Sequence, residues 1–373
     1  MVEPIYVPVL PTRRNAWDAY ARLAFGVRRR IAPLWTVVPR VEPERVRGVP
    51  LVPDPDTDQA ELRRWFTPRM DSLIKVMEGL TCWVDIGHVE SHLDALAVGL
   101  WRLATTSRVR LVTGPERNPA QQRYAADLAF LSGHGLGIRM VLDDPPEAPR
   151  STELLDLLDR LCLPPSRLDL ILDVGTATDG TEAGKVALAA LDLLGALVPW
   201  RTVVLASGAF PRALERPDAQ PTRVTHRHDW QLYESVRAAR PEFPGRLVYG
   251  DYSVEHVFSA NVPSIRRPGP AWGLLRYTTP DGFLVGRAPT RGSGRAARVR
   301  AVARWIAEAD SFRGNDGVGS SDGERWLHAC AYGDGPVGSG NAETWIRVGH
   351  IQHMNFVANQ LRHPGPDLGK AGA

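Results

Sequence analysis

From residue 5 onward the chain repeats one unit: a short apolar run, a polar break, then a stretch with apolar residues three and four apart. The runs are IYVPVL (5–10), IAPLWTVV (31–38), TCWVDI (81–86) and VRLVTG (109–114). They continue as GIRMVLDD (137–144), DLILDVG (169–175), TVVLASG (202–208) and RLVYGDY (246–252). Runs of this length read as strands, and the longer period between them predicts helices. The predicted helices are Trp17–Arg29, Asp58–Glu78, Ser91–Thr106, Pro119–Ser132, Thr152–Leu161, Thr181–Leu197 and Asp229–Ala239. Ser91 and the pair Ser151-Thr152 are placed to cap two of them with side-chain oxygens.

Eight strands alternating with helices imply parallel pairing through right-handed crossovers. An open doubly wound sheet would want a glycine fingerprint after its first strand, and PVLPTRRNAW has none. The predicted fold is therefore α/β, a (β/α)8 TIM-like barrel over residues 1–262. After Pro263 the texture changes. RRPGPAWGLLRYTTPDGFLVGRAP reads as a hairpin turned at Pro280-Asp281-Gly282, followed by the helix RAARVRAVARWIAEA, the glycine-rich FRGNDGVGSSDG and two more helical stretches. Residues 263–362 are thus expected to form an α+β subdomain packed on the barrel, and 363–373 a flexible Pro/Gly-rich tail.

Composition narrows the class. At 373 residues, 43% hydrophobic and 23% charged, the chain has the make-up of a globular protein, which argues against global disorder. The formal charge of +3 is small, so nucleic acid is a candidate partner that the charge does not require. The three cysteines, Cys82, Cys162 and Cys330, form no C-x-x-C pair; each sits in or near an apolar run, and buried thiols in a reducing cytoplasm are expected. No basic leader precedes an apolar core and no window approaches about 18 uninterrupted apolar residues, so a cytoplasmic protein without a membrane partner is expected.

Several short motifs carry a family resemblance. They are YVPVLPTRRNAWDAY…RIAPLWTVVP at the start, GDY after the last repeat, RYTT with a downstream V-x-R in the hairpin, FRG…SSDGERWLHACA, and TWIRVGHIQHMNFVANQL. Together they resemble the phage and bacterial beta protein family across nearly the whole chain. The resemblance implies a cytoplasmic protein of phages and of mobile or antiviral-defence regions, with a protein partner encoded nearby as a candidate, and no settled activity. In that family the first strand tends to be followed by a Lys and a Glu, and the second carries a Glu. This chain has Arg13, Arg14 and Thr36 at those places.

Barrel enzymes build their sites at the C-terminal strand ends, and the strand-end residues here are Asp85 with His88, Asp143 and Asp144, Asp173, and Asp251 with Tyr252. Asp85, Asp173 and Asp251 are the candidate catalytic carboxylates, expected to converge; with His88 they would suit a divalent metal such as Mg²⁺ or Mn²⁺. Strand alternation puts Arg139, Val141 and Asp143 on one face and Asp169, Ile171 and Asp173 on one face, so Arg139 and Asp173 are expected to point inwards and either pair or face a ligand. Arg139, Tyr252, Arg276 and Tyr277 are the candidate substrate-binding residues. Arg13, Arg14 and Arg40 line the opposite rim. Glu255 and His256 read as part of the connection leaving the barrel, and His350 and His353, one helical turn apart, as a polar face packed on a neighbour.

Two readings follow. In one, the barrel mouth is an enzyme site, hydrolase- or phosphodiesterase-like, for a phosphorylated small molecule or nucleotide-like substrate. In the other, the barrel recognises nucleic acid or a protein partner without turnover. Convergence of Asp85, Asp173 and Asp251 on one pocket would favour the first.

Overall fold

The computed structural model describes residues 4–39, 55–178, 180–211, 222–261, 271–314, 319–333 and 338–362. Its strands are β1 (Tyr6–Pro11), β2 (Leu34–Thr36), β3 (Cys82–Asp85), β4 (Val109–Thr113), β5 (Leu136–Val141), β6 (Leu168–Thr176), β7 (Thr202–Gly208), β8 (Thr222–His226), β9 (Leu247–Asp251), β10 (Trp272–Thr278) and β11 (Gly282–Pro289). The helices are α1 (Arg14–Ala21), α2 (Phe25–Arg28), α3 (Pro55–Met77), α4 (Leu93–Thr106), α5 (Pro119–Ser132), α6 (Ala148–Leu161), α7 (Gly180–Ala190), α8 (His228–Ala239), α9 (Arg295–Ala307), α10 (Asp322–Tyr332) and α11 (Ala342–Gln360). Strands β1 to β7 and β9 close into one parallel barrel, with β9 hydrogen-bonded to both β7 and β1. The eight runs read from the sequence are those eight strands.

Alternation along each strand separates two apolar layers. Val7, Val9, Leu34, Trp83, Val112, Ile171, Val204 and Val248 fill the lumen. Their neighbours Tyr6, Leu10, Trp35, Val84, Ile138, Leu170, Leu205 and Tyr249 face the helices. Close packing of the lumen fixes one glycine: a Cβ at Gly137 would lie 2.7 Å from the Trp83 ring. Below the apolar layer sits a charged one. The fully buried Asp169 accepts hydrogen bonds from Trp83 Nε1 (3.0 Å), Arg110 (2.8 Å) and Arg201 (2.8 and 2.6 Å). Such a lattice fixes strand register, because a slip of one residue would strand a carboxylate in hydrocarbon.

The second sheet is ordered β10-β11-β8, all antiparallel. Its hairpin turns at Thr279–Asp281, as the Pro-Asp-Gly signal predicts. Its third strand was missed: TRVTH lies inside the segment between two barrel strands, and Val224 is exposed, so no buried alternation advertises it. Residues on both sides of position 262 therefore build this sheet. Helix α11 packs against β10 and α1, and Ile351, Met354 and Val357 join the outer core of the barrel.

Three local expectations are corrected. Trp17–Arg29 is two helices, α1 and the single turn α2, rather than one. Neither Ser91 nor Ser151-Thr152 caps a helix: a 3-10 turn at Glu90–His92 precedes α4, and α6 begins a turn earlier, at Ala148, with a proline in its first turn. Cys162 is exposed at the end of α6, while Cys82 and Cys330 are buried as expected. Arg40 and the tail 363–373 lie outside the described residues.

Removing the lower lattice is the sharpest test of this architecture. Asp169→Ala leaves Arg110 and Arg201 unpaired, so urea unfolding should show a loss of about 3 kcal/mol, the lower end for a broken buried pair because both arginines keep some solvent contact. An unchanged unfolding midpoint would refute the assigned role.

Candidate functional site

The upper end of the lumen carries a second charged layer, and one guanidinium organises it. Arg139, on the lumen face of β5, donates from NH1 to Asp85 Oδ2 at 2.7 Å. It also donates to Asp173 Oδ2 from Nε at 3.0 Å and from NH2 at 2.5 Å, and from NH2 to Tyr252 Oη at 2.8 Å. Tyr252 in turn donates to Asp173 Oδ2 at 2.5 Å. The register makes this unavoidable: β5 and β6 are paired with Val141 opposite Asp173, so side chains of the same parity on both strands meet in the lumen. The far oxygens of both carboxylates accept backbone amides two residues on, from Gly87 at 2.8 Å and Gly175 at 3.0 Å. Arg117 completes the cluster, donating to Asp85 Oδ2 at 3.0 Å and approaching Glu90 at 3.7 Å. Gly87 leaves the space for it, since a Cβ there would lie 1.6 Å from the Arg117 NH1.

These neighbours decide protonation. Burial alone would raise the Asp85 carboxyl, but the charges of Arg117 and Arg139 and the Gly87 amide outweigh it and hold it down at about 2. Burial likewise works against the Arg139 charge and is more than offset by Tyr252, Asp173 and Asp85, so its pKa is raised. Burial, reinforced by the Asp173 charge, pushes the Tyr252 phenol well above its ordinary value and keeps it a donor.

A divalent metal does not fit this pair of carboxylates. Mg²⁺ and Mn²⁺ need several oxygens turned on one point, whereas Asp85 Oδ2 and Asp173 Oδ2 are both turned on Arg139, which stands where the cation would. Among the described residues no group of three or more His, Cys, Asp or Glu side chains is arranged to hold a metal ion.

Above the cluster opens a cavity of about 430 Å³, lined by Thr36, Asp85, Gly87, His88, Arg117, Arg139, Val141, Asp143, Asp173, Val174, Gly175, Thr176, Tyr252, Val257 and Phe258. Two of these residues stand out. The Thr36 side chain is buried, 3% exposed, and its hydroxyl has no partner among the described residues. Phe258 stands at the rim, about half exposed.

Four of the seven candidate residues meet here: Asp85, Asp173, Arg139 and Tyr252. The expected convergence of three carboxylates is corrected to two. Asp251 shares its strand face with Tyr249, so it points out of the barrel into the helix layer. There it accepts from Tyr6 Oη at 2.6 Å and the Ser253 amide at 2.9 Å, and pairs with His353 Nε2 at 2.8 Å. Burial would raise its carboxyl, but His353 and the hydrogen bonds outweigh it and keep it low. Tyr277 is corrected too. It is fully buried in the core of the C-terminal sheet, with Arg313 N donating to its hydroxyl at 3.0 Å. Arg276, on the other face of β10, lies over the Phe210 ring and near Glu255, and burial lowers it to about 10. Neither Arg276 nor Tyr277 lines the mouth cavity.

His350 and His353 are both fully buried on α11, as a packed polar face. His350 Nδ1 lies 2.9 Å from Ser253 Oγ, and Nε2 lies 3.8 Å from Glu255, so Glu255 lies in the connection leaving the barrel and is buried against α11. Sequence reading missed Arg117 and Phe258, which lie on loops where no periodicity reports direction. It passed over Thr36, although two-residue alternation from the buried Leu34 puts it on the lumen face.

A protein-family model described as Beta protein matches residues 6–359. A comparison with curated protein sequences returned no match. Among solved structures, tryptophan synthase from M. tuberculosis is 14% identical, with 67% of this chain and 84% of that one covered and a TM-score of 0.34. A glucosidase from Croceicoccus marinus is 11% identical (66% and 58% covered, TM-score 0.37). The spore cortex-lytic enzyme SleL of Bacillus megaterium QM B1551 is 9% identical (71% and 76% covered, TM-score 0.29). Likenesses this distant carry no information about the reaction.

The depressed Asp85 carboxyl makes stability depend on pH in a defined window. A lowered folded-state value stabilises the fold above the unfolded value near 4 and loses that stabilisation as pH falls towards 2. The contribution is about 2 kcal/mol. Unfolding free energies measured from pH 5 to pH 2 should therefore fall less steeply in Asp85→Asn than in the wild type; parallel curves would exclude the ion-pair assignment.

Proposed function

Because the chain belongs to the Beta protein family, whose model spans residues 6–359, and carries a polar cavity at the C-terminal mouth of its barrel, we propose that this mouth binds a nucleotide-like small molecule and that the protein acts on it there as an enzyme. The observation that carries the reading is Thr36, a residue that lines the cavity whose floor is the Asp85–Arg139–Asp173 array and whose buried hydroxyl has no partner among the described residues. A buried polar group with no protein partner is costly unless a ligand or water satisfies it. The floor offers acceptor, donor and acceptor in a row. Carboxylates there can accept from the N–H and O–H groups of a base or sugar, guanidinium groups can donate to ring nitrogens and carbonyls, and Phe258 offers a face on which a base can stack.

Chemistry at such a site would run on fixed charge. Arg117 and Arg139 would stabilise negative charge developing on an oxygen, and Tyr252, held by Asp173 and Arg139, would help fix the position of that guanidinium. The second reading, recognition of nucleic acid or a protein partner without turnover, is favoured by one observation: Asp85 and Asp173, the carboxylates of the cavity floor, are both tied up in ion pairs with Arg139.

Calorimetric titration with nucleosides and nucleoside 5′-monophosphates tests the proposal. At least one compound should bind, and Thr36→Val and Phe258→Ala should each weaken it about tenfold, the worth of one buried hydrogen bond or stacking contact at ~1.4 kcal/mol. If nothing in the panel binds, or both variants bind like the wild type, the mouth is not such a site. Chromatography of the bound compound after prolonged incubation separates turnover from recognition.

A further inference from the structure

The mouth cavity is the wrong place for a phosphate. Its lining sets the carboxylates of Asp85, Asp143 and Asp173 against the guanidinium groups of Arg117 and Arg139, three acidic side chains to two arginines. A dianion would meet carboxylates already holding the guanidinium groups. A phosphorylated end on such a ligand would be better placed in a cavity of positive charge.

A second cavity, of about 510 Å³, opens beside the first where β1 leaves the barrel, and its charge has the opposite sign. It is lined by Arg13, Arg14 and Arg69 against the single carboxylate of Glu343, with Asn15 and Trp17 between them, a surplus of two positive charges. The two cavities are neighbours by construction. Thr12 lines the second and Thr36 the first, and the Thr12 amide donates to the Thr36 carbonyl at 2.9 Å. On the other side, Val257 and Phe258 line the first, while Arg13 donates to the carbonyl of Ser259 at 2.7 Å. One short 3-10 turn, Val257–Asn261, thus adjoins both cavities.

The basic cavity also has donors to offer. Arg14 is 80% exposed at its side chain and meets Asp18 only at 3.7 Å, and Asp18 is shared with Arg347 at 3.8 Å. Arg69 is fixed in direction, with NH1 on the Trp65 carbonyl at 2.7 Å and its guanidinium over the Trp65 ring. The buried Trp17 Nε1 has no acceptor among the described residues. Guanidinium groups gathered around one space are well suited to a phosphate, which they can meet with paired N–H donors.

We propose that the Arg13–Arg14–Arg69 cavity is the phosphate subsite of a bipartite site, holding the anionic end of a small ligand whose head group occupies the mouth. The inference rests on the nucleotide-like reading for the head group and is independent of it for the phosphate.

Inorganic pyrophosphate is the probe that separates the two. In calorimetric titrations of the full chain at low salt, pyrophosphate should bind the wild type. Binding should weaken at least about tenfold in Arg14→Ala and in Arg69→Ala and stay unchanged in Thr36→Val. Arg14 is exposed enough that its removal should leave the circular dichroism spectrum and melting temperature as they are, so loss of binding in that variant is not loss of fold. No pyrophosphate binding, or binding indifferent to both arginines, overturns the subsite. Failure of the mouth reading looks different: nucleosides fail to bind while pyrophosphate still binds through the arginines. A nucleoside 5′-monophosphate should bind about tenfold tighter than its nucleoside, and Arg14→Ala should erase that advantage. If instead a short single-stranded oligonucleotide displaces pyrophosphate and shows the same arginine dependence at far higher affinity, the cavity belongs to a nucleic-acid surface and the small-ligand proposal is overturned.

Discussion

A charge inside a closed barrel has to be paired, and the Arg139 guanidinium between Asp85 and Asp173 is where this protein meets that demand at its functional end. Little water reaches the lumen, so ions there are stabilised by partners at hydrogen-bonding distance. The arrangement has consequences in both directions. Downwards it caps an apolar layer that a second lattice, around Asp169, closes from below. Upwards it gives the cavity a floor whose carboxylates are held by hydrogen bonds from their own neighbours. Because a guanidinium occupies the point between the carboxylates, the mouth is organised around a fixed organic cation and not around a metal ion.

The exit of β9 divides the work of the C-terminal face. Tyr252 turns into the lumen, while Asp251, Ser253 and Glu255 turn to α11, where His353 and His350 receive them. One strand end therefore serves the cavity with one residue and anchors a distant helix with three. Breaking the Asp251–His353 pair would leave a buried charge, so the same contact that removes Asp251 from the mouth holds the C-terminal helix and sheet against the barrel. The turn that follows, carrying Val257, Phe258 and Ser259, adjoins both cavities.

Much of this was legible in the residues. Eight apolar runs and their spacing specify the barrel, and parity within GIRMVLD and DLILDVG brings Arg139 to Asp173. The same parity, applied to RLVYGDY, already forbids Asp251 and Tyr252 from facing the same way. Position at a strand end points Asp251 to the mouth, but alternation turns it into the helix layer. A threonine in an apolar strand reads as packing; only the fold shows that Thr36 lines a cavity and that its hydroxyl has no partner among the described residues. Arg117 and Phe258 sit on loops, where direction follows from the chain's path across the barrel mouth.

What the sequence determines by itself is local and periodic: which runs are strands, which faces are apolar, and which charges must find partners. The tertiary structure decides who those partners are. Asp251 lies 102 residues from His353, and Arg139 lies 54 from Asp85. No period in the chain relates such positions; they meet because the barrel closes and α11 returns to it. The opposite signs of the two cavities are decided at that level too, since each is assembled from side chains on several separate elements that come together only in the folded chain.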